Sequence, residues 1–157
     1  MRRRALLIAA VILLPAQAPP PKSDPPKAGP VNAEAGLALA GHDPVAYFTD
    51  ARPTPGEPAI TASHDGVTYH FASAANRAAF IAAPEKYLPQ YGGYCAFAVA
   101  RGYKAVIDPA AFTVAGGKLY LNYNAAIQTQ WLRQRDADIS RADKNWPKVM
   151  NSPEVAR

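Results

Sequence analysis

A small single α+β domain, with short antiparallel hairpins and three to four helices, is the fold class this sequence predicts. Three observations predict it. Two β-like runs flank Asp65-Gly66, and two more flank Gly116-Gly117, each pair being a hairpin signal. Segments with helical spacing and their own start and stop residues lie between and after these hairpins. The chain has 157 residues, of which about 127 follow a proline-rich stretch, enough for one core and too few for two domains.

Each element has a local reason. Pro44 to Thr49 carries Val45, Tyr47 and Phe48 and is expected as a strand. Pro53, Pro55, Gly56 and Pro58 break the chain into a loop. Ala59 to Ser63 and Val67 to Phe71 form the first hairpin, with His64 solvated in its turn. Ser73 caps a helix from Ala74 to Ala82, which Pro84 ends, and Pro84 to Tyr87 makes another short helical turn. Tyr91-Gly92-Gly93-Tyr94 is a tight loop, because adjacent glycines permit positive φ. Tyr94 to Ala100 is expected as a strand. Phe112 to Ala115 and Lys118 to Tyr123 form the second hairpin. Asn124 caps a helix in which Ile127 and Trp131 share a face. Asp136 is expected to cap the last helix, with Ile139, Ala142 and Trp146 on one stripe and Pro147 near its end.

The N-terminus has the form of an export signal over residues 1–18. Arg2, Arg3 and Arg4 precede an uncharged apolar run from Ala5 to Leu14, and Ala16-Gln17-Ala18 has the small-x-small form of a cleavage site. The apolar run is too short to span a bilayer core of about 30 Å. Pro19 after the expected cut hinders cleavage, so the segment is either cut slowly, cut elsewhere, or kept as an anchor. Contact with a membrane is expected only through this segment if it stays uncleaved. Residues 19–34 follow as a proline-rich linker, semi-rigid and extended, with the domain over 35–157. The expected localisation is exported, periplasmic or secreted.

The net charge of +5 comes from 17 Lys and Arg against 12 Asp and Glu. Residues 1–18 contribute +3 of it and residues 19–130 sum to zero. The excess is therefore no nucleic-acid surface. One cysteine excludes an intramolecular disulfide framework and an all-cysteine zinc site.

Several segments resemble the YHS-domain family in its exported, stand-alone branch. They are Gly41-His42-Asp43-Pro44-Val45-Ala46-Tyr47-Phe48, Tyr69-His70-Phe71-Ala72-Ser73-Ala74-Ala75-Asn76, Pro84-Glu85-Lys86-Tyr87, Tyr91-Gly92-Gly93-Tyr94-Cys95-Ala96, Gly117-Lys118-Leu119-Tyr120-Leu121-Asn122-Tyr123 and Ala142-Asp143-Lys144-Asn145-Trp146-Pro147. The likeness runs from about Leu37 to Val149, and its order and spacing carry it. The resemblance implies a compact α+β domain and says little of activity. Relatives in copper-transporting ATPases and certain oxygenases look like metal-binding modules with cysteines at positions that fall here on Ala46, Ala72 and Asn76. Alanine has no donor atom and an asparagine amide is a poor ligand for soft metals, so that metal role does not carry over.

Chemistry-bearing residues are few. Cys95 reads either as a metal ligand, redox-sensitive thiol or nucleophile, or as a small buried hydrophobe. Strand alternation sets His70 opposite Tyr69 and Phe71. His42, His70 and Cys95 together have the donor types of a site for a copper or zinc ion, though no spacing requires them to meet. Asp43-Pro44 and Asp108-Pro109 read as turn chemistry, with aspartate accepting backbone N–H groups. Most aromatic residues read as core, with some tyrosines available to line a ligand groove. The chain has no glycine-rich phosphate loop, no HExxH and no nucleophile elbow.

These readings favour a non-catalytic exported module that binds a small ligand, a metal ion or an envelope partner protein. The alternative is a thiol-dependent redox or transfer protein using Cys95. A structural role in an envelope assembly also fits the proline-rich spacer.

Overall fold

The computed structural model describes residues 29–157. The expected signal segment and most of the linker lie outside the described residues. Strands β1 (Ala33–Glu34) and β2 (Leu37–Ala38) come first, followed by a 3₁₀ turn at Leu39–Gly41 and a short helix α1 (Ala46–Thr49). Strands β3 (Glu57–His64) and β4 (Val67–Phe71) form the first hairpin. Helices α2 (Ala74–Ala82) and α3 (Pro84–Tyr87), a 3₁₀ turn at Gln90–Gly93 and helix α4 (Ala96–Val99) lead to β5 (Lys104–Ala105). The second hairpin, β6 (Asp108–Ala115) and β7 (Lys118–Asn122), is followed by α5 (Ala125–Arg133), α6 (Arg135–Val149) and β8 (Val155–Ala156).

The strands form three small sheets. One has the order β1-β2-β4-β3, one is the β6-β7 hairpin, and one pairs β5 with β8 in parallel. This is the small α+β domain the sequence predicts, with six helices among the described residues where three to four were expected, because two segments expected as strands are helical. Both hairpins turn where expected. Asp65 and Gly66 have φ of 49° and 76°, and Gly116 and Gly117 have 58° and 72°, the left-handed pairs that suit the twist of a two-residue turn. Ser73 Oγ accepts the Asn76 N–H at 3.1 Å and Asn124 Oδ1 accepts the Ile127 N–H at 2.9 Å, so both expected caps are formed.

Four local expectations are corrected. Pro44 to Thr49 contains helix α1 rather than a strand. Asp43 caps this turn by accepting the N–H groups of Val45 and Ala46, which favours helical continuation over extension. Tyr94 to Ala100 contains helix α4 rather than a strand. Its buried residues Ala96, Ala98 and Val99 face tertiary neighbours, and the run is rich in alanine, a helix former. Asp136 is not the cap of α6. The helix begins at Arg135 with Gln134 before it, and Asp136 lies one residue inside, paired with Arg135 at 2.8 Å. His64 is half-buried, edge-on to Phe80, rather than solvated. In addition, Ala33 and Glu34, assigned to the linker from sequence, pair with β2.

Strand β7 holds the molecule together. Leu119 and Leu121 point into one core cluster with Tyr47, Tyr69, Phe71 and Phe80, while Tyr120 points into a second with Tyr91, Val99, Trp131 and Ala142. Alternation along one strand thus feeds two cores, which explains why four of its five residues are buried. Ile139 and Trp146 pack against the second cluster beside Ala142, as the stripe on α6 predicts. Among the described residues no helix is long and apolar enough to cross a membrane.

The first described residues are tied across the middle of the domain. Lys104 is buried on its aliphatic stem, and its ammonium donates to the carbonyls of Gly29 and Met150 at 3.1 and 3.2 Å while lying 4.8 Å from the Tyr94 ring. Tyr94 also donates to Gly29, at 2.9 Å. Asn32 N donates to Gly92 O at 2.8 Å, and Asn32 Nδ2 to Gly93 O at 3.0 Å. A Cβ on Gly92 would sit 1.8 Å from Pro30 O, so only glycine permits this crossing.

Candidate functional site

The three residues named for a copper or zinc site do not assemble one. His42 and His70 lie near the junction of Gly41 and Gly56. His42 Nδ1 contacts Leu39 O at 3.2 Å, and a Cβ on Gly41 would lie 3.6 Å from His70 Nδ1. His70 is half-buried, opposite the buried Tyr69 and Phe71, as alternation requires. Cys95 packs instead with Ala98 and Ala105, with a backbone bridge to Leu121 on β7. Among the described residues no three of His, Cys, Asp and Glu gather closely enough to hold a metal ion. The reason is topological: the histidines belong to the β3–β4 side of the core and Cys95 to the layer beneath β7.

Cys95 is 1% exposed, and its Sγ lies 3.8 Å from Asn122 Oδ1. Burial pushes the thiol's pKa up, and backbone hydrogen bonds with residues of α4 and Tyr123 offset this only in part. A nucleophilic or redox thiol needs the thiolate, the form that burial disfavours. Beside it lies a small apolar cavity of about 170 Å³ walled by Phe97, Tyr103, Tyr123 and Ile127. The surroundings are those of a packing residue.

The positions that the family resemblance marks for cysteine do come together, around Asp43. Its carboxylate is fully buried. Oδ1 accepts the Val45 N–H at 2.8 Å and the Ala46 N–H at 3.4 Å. Oδ2 accepts the Ala72 N–H at 2.8 Å and Asn76 Nδ2 at 2.7 Å. Ala46, Ala72 and Asn76 thus converge from α1, the end of β4 and α2 on one anion. A buried carboxylate is tolerated only when its oxygens are satisfied, and four donors achieve that here. The turn role expected of Asp43 is present, and it extends to a tertiary tie between three elements. Asp108 shows the turn role alone, accepting the Ala110 N–H at 2.9 Å.

A larger concave feature lies elsewhere. A half-open groove of about 720 Å³ lies between the β3–β4 turn, α3, the Gln90–Gly93 turn and α6. Three carboxylates line it, Asp65, Glu85 and Asp143, together with the rings of Tyr69, Tyr91 and Trp146. Among its described lining residues there is no lysine or arginine. Tyr91 shapes this wall. Its φ is 56°, a left-handed value that costs a non-glycine residue about 1–2 kcal/mol. Its side chain is held by Asp143 Oδ1, to which the hydroxyl donates at 2.9 Å, and by rings of Tyr120 and Trp146 at 6.1 and 6.0 Å. Burial, then the bond to Asp143, raises the Tyr91 pKa, so the hydroxyl stays a donor at any physiological pH.

Sequence reasoning allowed that tyrosines line a groove but missed its acids, Asp65, Glu85 and Asp143. One signal for Asp143 was present. It falls four residues after Ile139 and three before Trp146, a charged residue set into the apolar stripe of α6.

Comparison with known proteins returns nothing for this chain: no family model, no curated protein and no solved structure matches it.

Proposed function

We propose that the protein is an exported YHS-type domain acting as a non-catalytic binding module, and that the groove between α3 and α6 is where its ligand sits. The observation that carries this reading is the groove itself. Its volume falls in the range of small-molecule sites, about 300–1,000 Å³, and it combines aromatic walls with a few convergent polar groups. Supporting it further, Tyr91 and Asp143 on its wall hold each other in place through a 2.9 Å hydrogen bond. The thiol-dependent alternative is disfavoured by the burial of Cys95 and by the upward shift of its pKa.

The test is a fragment library of cationic, neutral and anionic compounds applied to the isotope-labelled full chain, with amide shifts followed by NMR. The expected result is that shifts cluster on Asp65, Glu85, Tyr91, Asp143 and Trp146. A cluster around Cys95, or no cluster at all, would overturn the reading.

A further inference from the structure

From the chemistry of the groove walls we infer that its ligand is an organic cation, an ammonium or guanidinium group carried on a carbon skeleton. This inference rests on the groove being the binding site and specifies what it takes. Three features of the walls select that class together.

The first is charge. Asp65, Glu85 and Asp143 approach the cavity from three different elements, the β3–β4 turn, α3 and α6, with no lysine or arginine among the described lining. Asp65 and Glu85 also lie 3.5 and 3.8 Å from His64 Nε2. With no lysine or arginine in the described lining to oppose the carboxylates, an anionic ligand is disfavoured there and a cation favoured. The second is the aromatic surface. Tyr91 and Trp146 stand 6.0 Å apart at an interplanar angle of 62°, which sets one ring edge-on to the other and turns their faces in different directions. The electron-rich face of an indole is the preferred partner of an ammonium or guanidinium, and its apolar area suits the attached carbon skeleton. The third is direction. Tyr91 donates to Asp143 Oδ1 at 2.9 Å, which orients the exposed carboxylate. A carboxylate already oriented by Tyr91 binds a cationic donor without first having to be ordered. A bare metal ion fits these walls less well, because no three of the His, Cys, Asp and Glu side chains described come together as ligands.

The test uses three probes of similar shape and different charge: phenethylammonium, phenethyl alcohol and 3-phenylpropionate. Each is titrated into the full-length labelled chain while groove amides and the Trp146 indole are followed by NMR. Phenethylammonium is expected to bind about tenfold more tightly than the alcohol, with the carboxylate weaker still. Its affinity should fall as salt is added, since the groove is half-open and screening reaches it. Asp143→Asn retains an acceptor for Tyr91 but loses the charge, and should weaken phenethylammonium about tenfold while leaving the alcohol unchanged. Glu85→Gln, at a side chain that is 87% exposed, should act in the same direction without touching the core. Equal binding of all three probes would overturn the cationic class while leaving the groove as the site. Binding of none of them would overturn the inference. Silence of the wider fragment library as well would remove the groove reading on which it rests.

Discussion

Asp43 is fully buried and both of its oxygens are taken up by protein donors, whereas Asp143 stands exposed at the wall of a groove with one oxygen held by Tyr91. Both aspartates fall in segments that carry the family resemblance. Their surroundings separate them. A carboxylate saturated by four N–H donors has no capacity left for a ligand, and its work is to tie α1, β4 and α2 together. A carboxylate that is oriented by one bond and open to solvent retains capacity for a partner from outside. Satisfaction of hydrogen bonds therefore separates a structural carboxylate from one open to an outside partner better than residue type does.

The comparison breaks most visibly at Asp43. Asp43→Ala leaves two well-formed N–H donors and the Asn76 amide without their acceptor, each a penalty of about 1–3 kcal/mol. A loss of about 3 kcal/mol or more is expected in denaturant unfolding. A variant as stable as wild type would show that the hub is dispensable. Gly92→Ala should come next. It forces a side chain onto Pro30 O and a left-handed residue into the loop, so a loss of at least about 1–2 kcal/mol is expected. Protection of the Asn32 amide from hydrogen exchange should fall with it. Unchanged protection at Asn32 would show that the crossing is not held as described.

Alkaline pH probes the buried rings and thiol together. Tyr47, Tyr69, Tyr91 and Cys95 all have pKa values raised, chiefly by burial. Above pH 9 to 10 the unfolded chain loses protons that the folded chain keeps, so stability should fall steadily as pH rises past the ordinary thiol and phenol values. Lys104, with its pKa lowered by burial, acts in the opposite sense as a single group. A stability profile flat to pH 11 would contradict this account of the buried phenols. The smallest of these effects belongs to a plain cap: Ser73→Ala should cost about 1 kcal/mol, read as a shift of the unfolding midpoint.

Much of the fold was legible because its signals are local. Asp65-Gly66 and Gly116-Gly117 demand left-handed turns, and Ser73 and Asn124 carry capping oxygens, so each acts within a few residues of itself. The segments misread as strands, Pro44 to Thr49 and Tyr94 to Ala100, are rich in residues of mixed propensity. Each is decided by something outside its own pattern, the Asp43 cap in one case and burial against α6 and β7 in the other. The groove was legible only in part. Tyr91 and Trp146 were visible as aromatic residues, but Asp65, Glu85 and Asp143 lie far apart in sequence and line one groove only through the tertiary placement of the β3–β4 turn, α3 and α6. The same distance explains the metal expectation. His42, His70 and Cys95 have suitable atoms, and the layers of the fold keep them apart.

The most direct test places the two aspartates side by side. Asp43→Asn and Asp143→Asn are purified as full chains, and phenethylammonium is titrated into each against wild type, with unfolding midpoints measured on the same samples. Asp43→Asn should bind as wild type does and unfold earlier, while Asp143→Asn should unfold with wild type and bind about tenfold more weakly. The reverse pattern, binding lost at Asp43 and stability lost at Asp143, would contradict the assignment of architecture to one and of the site to the other.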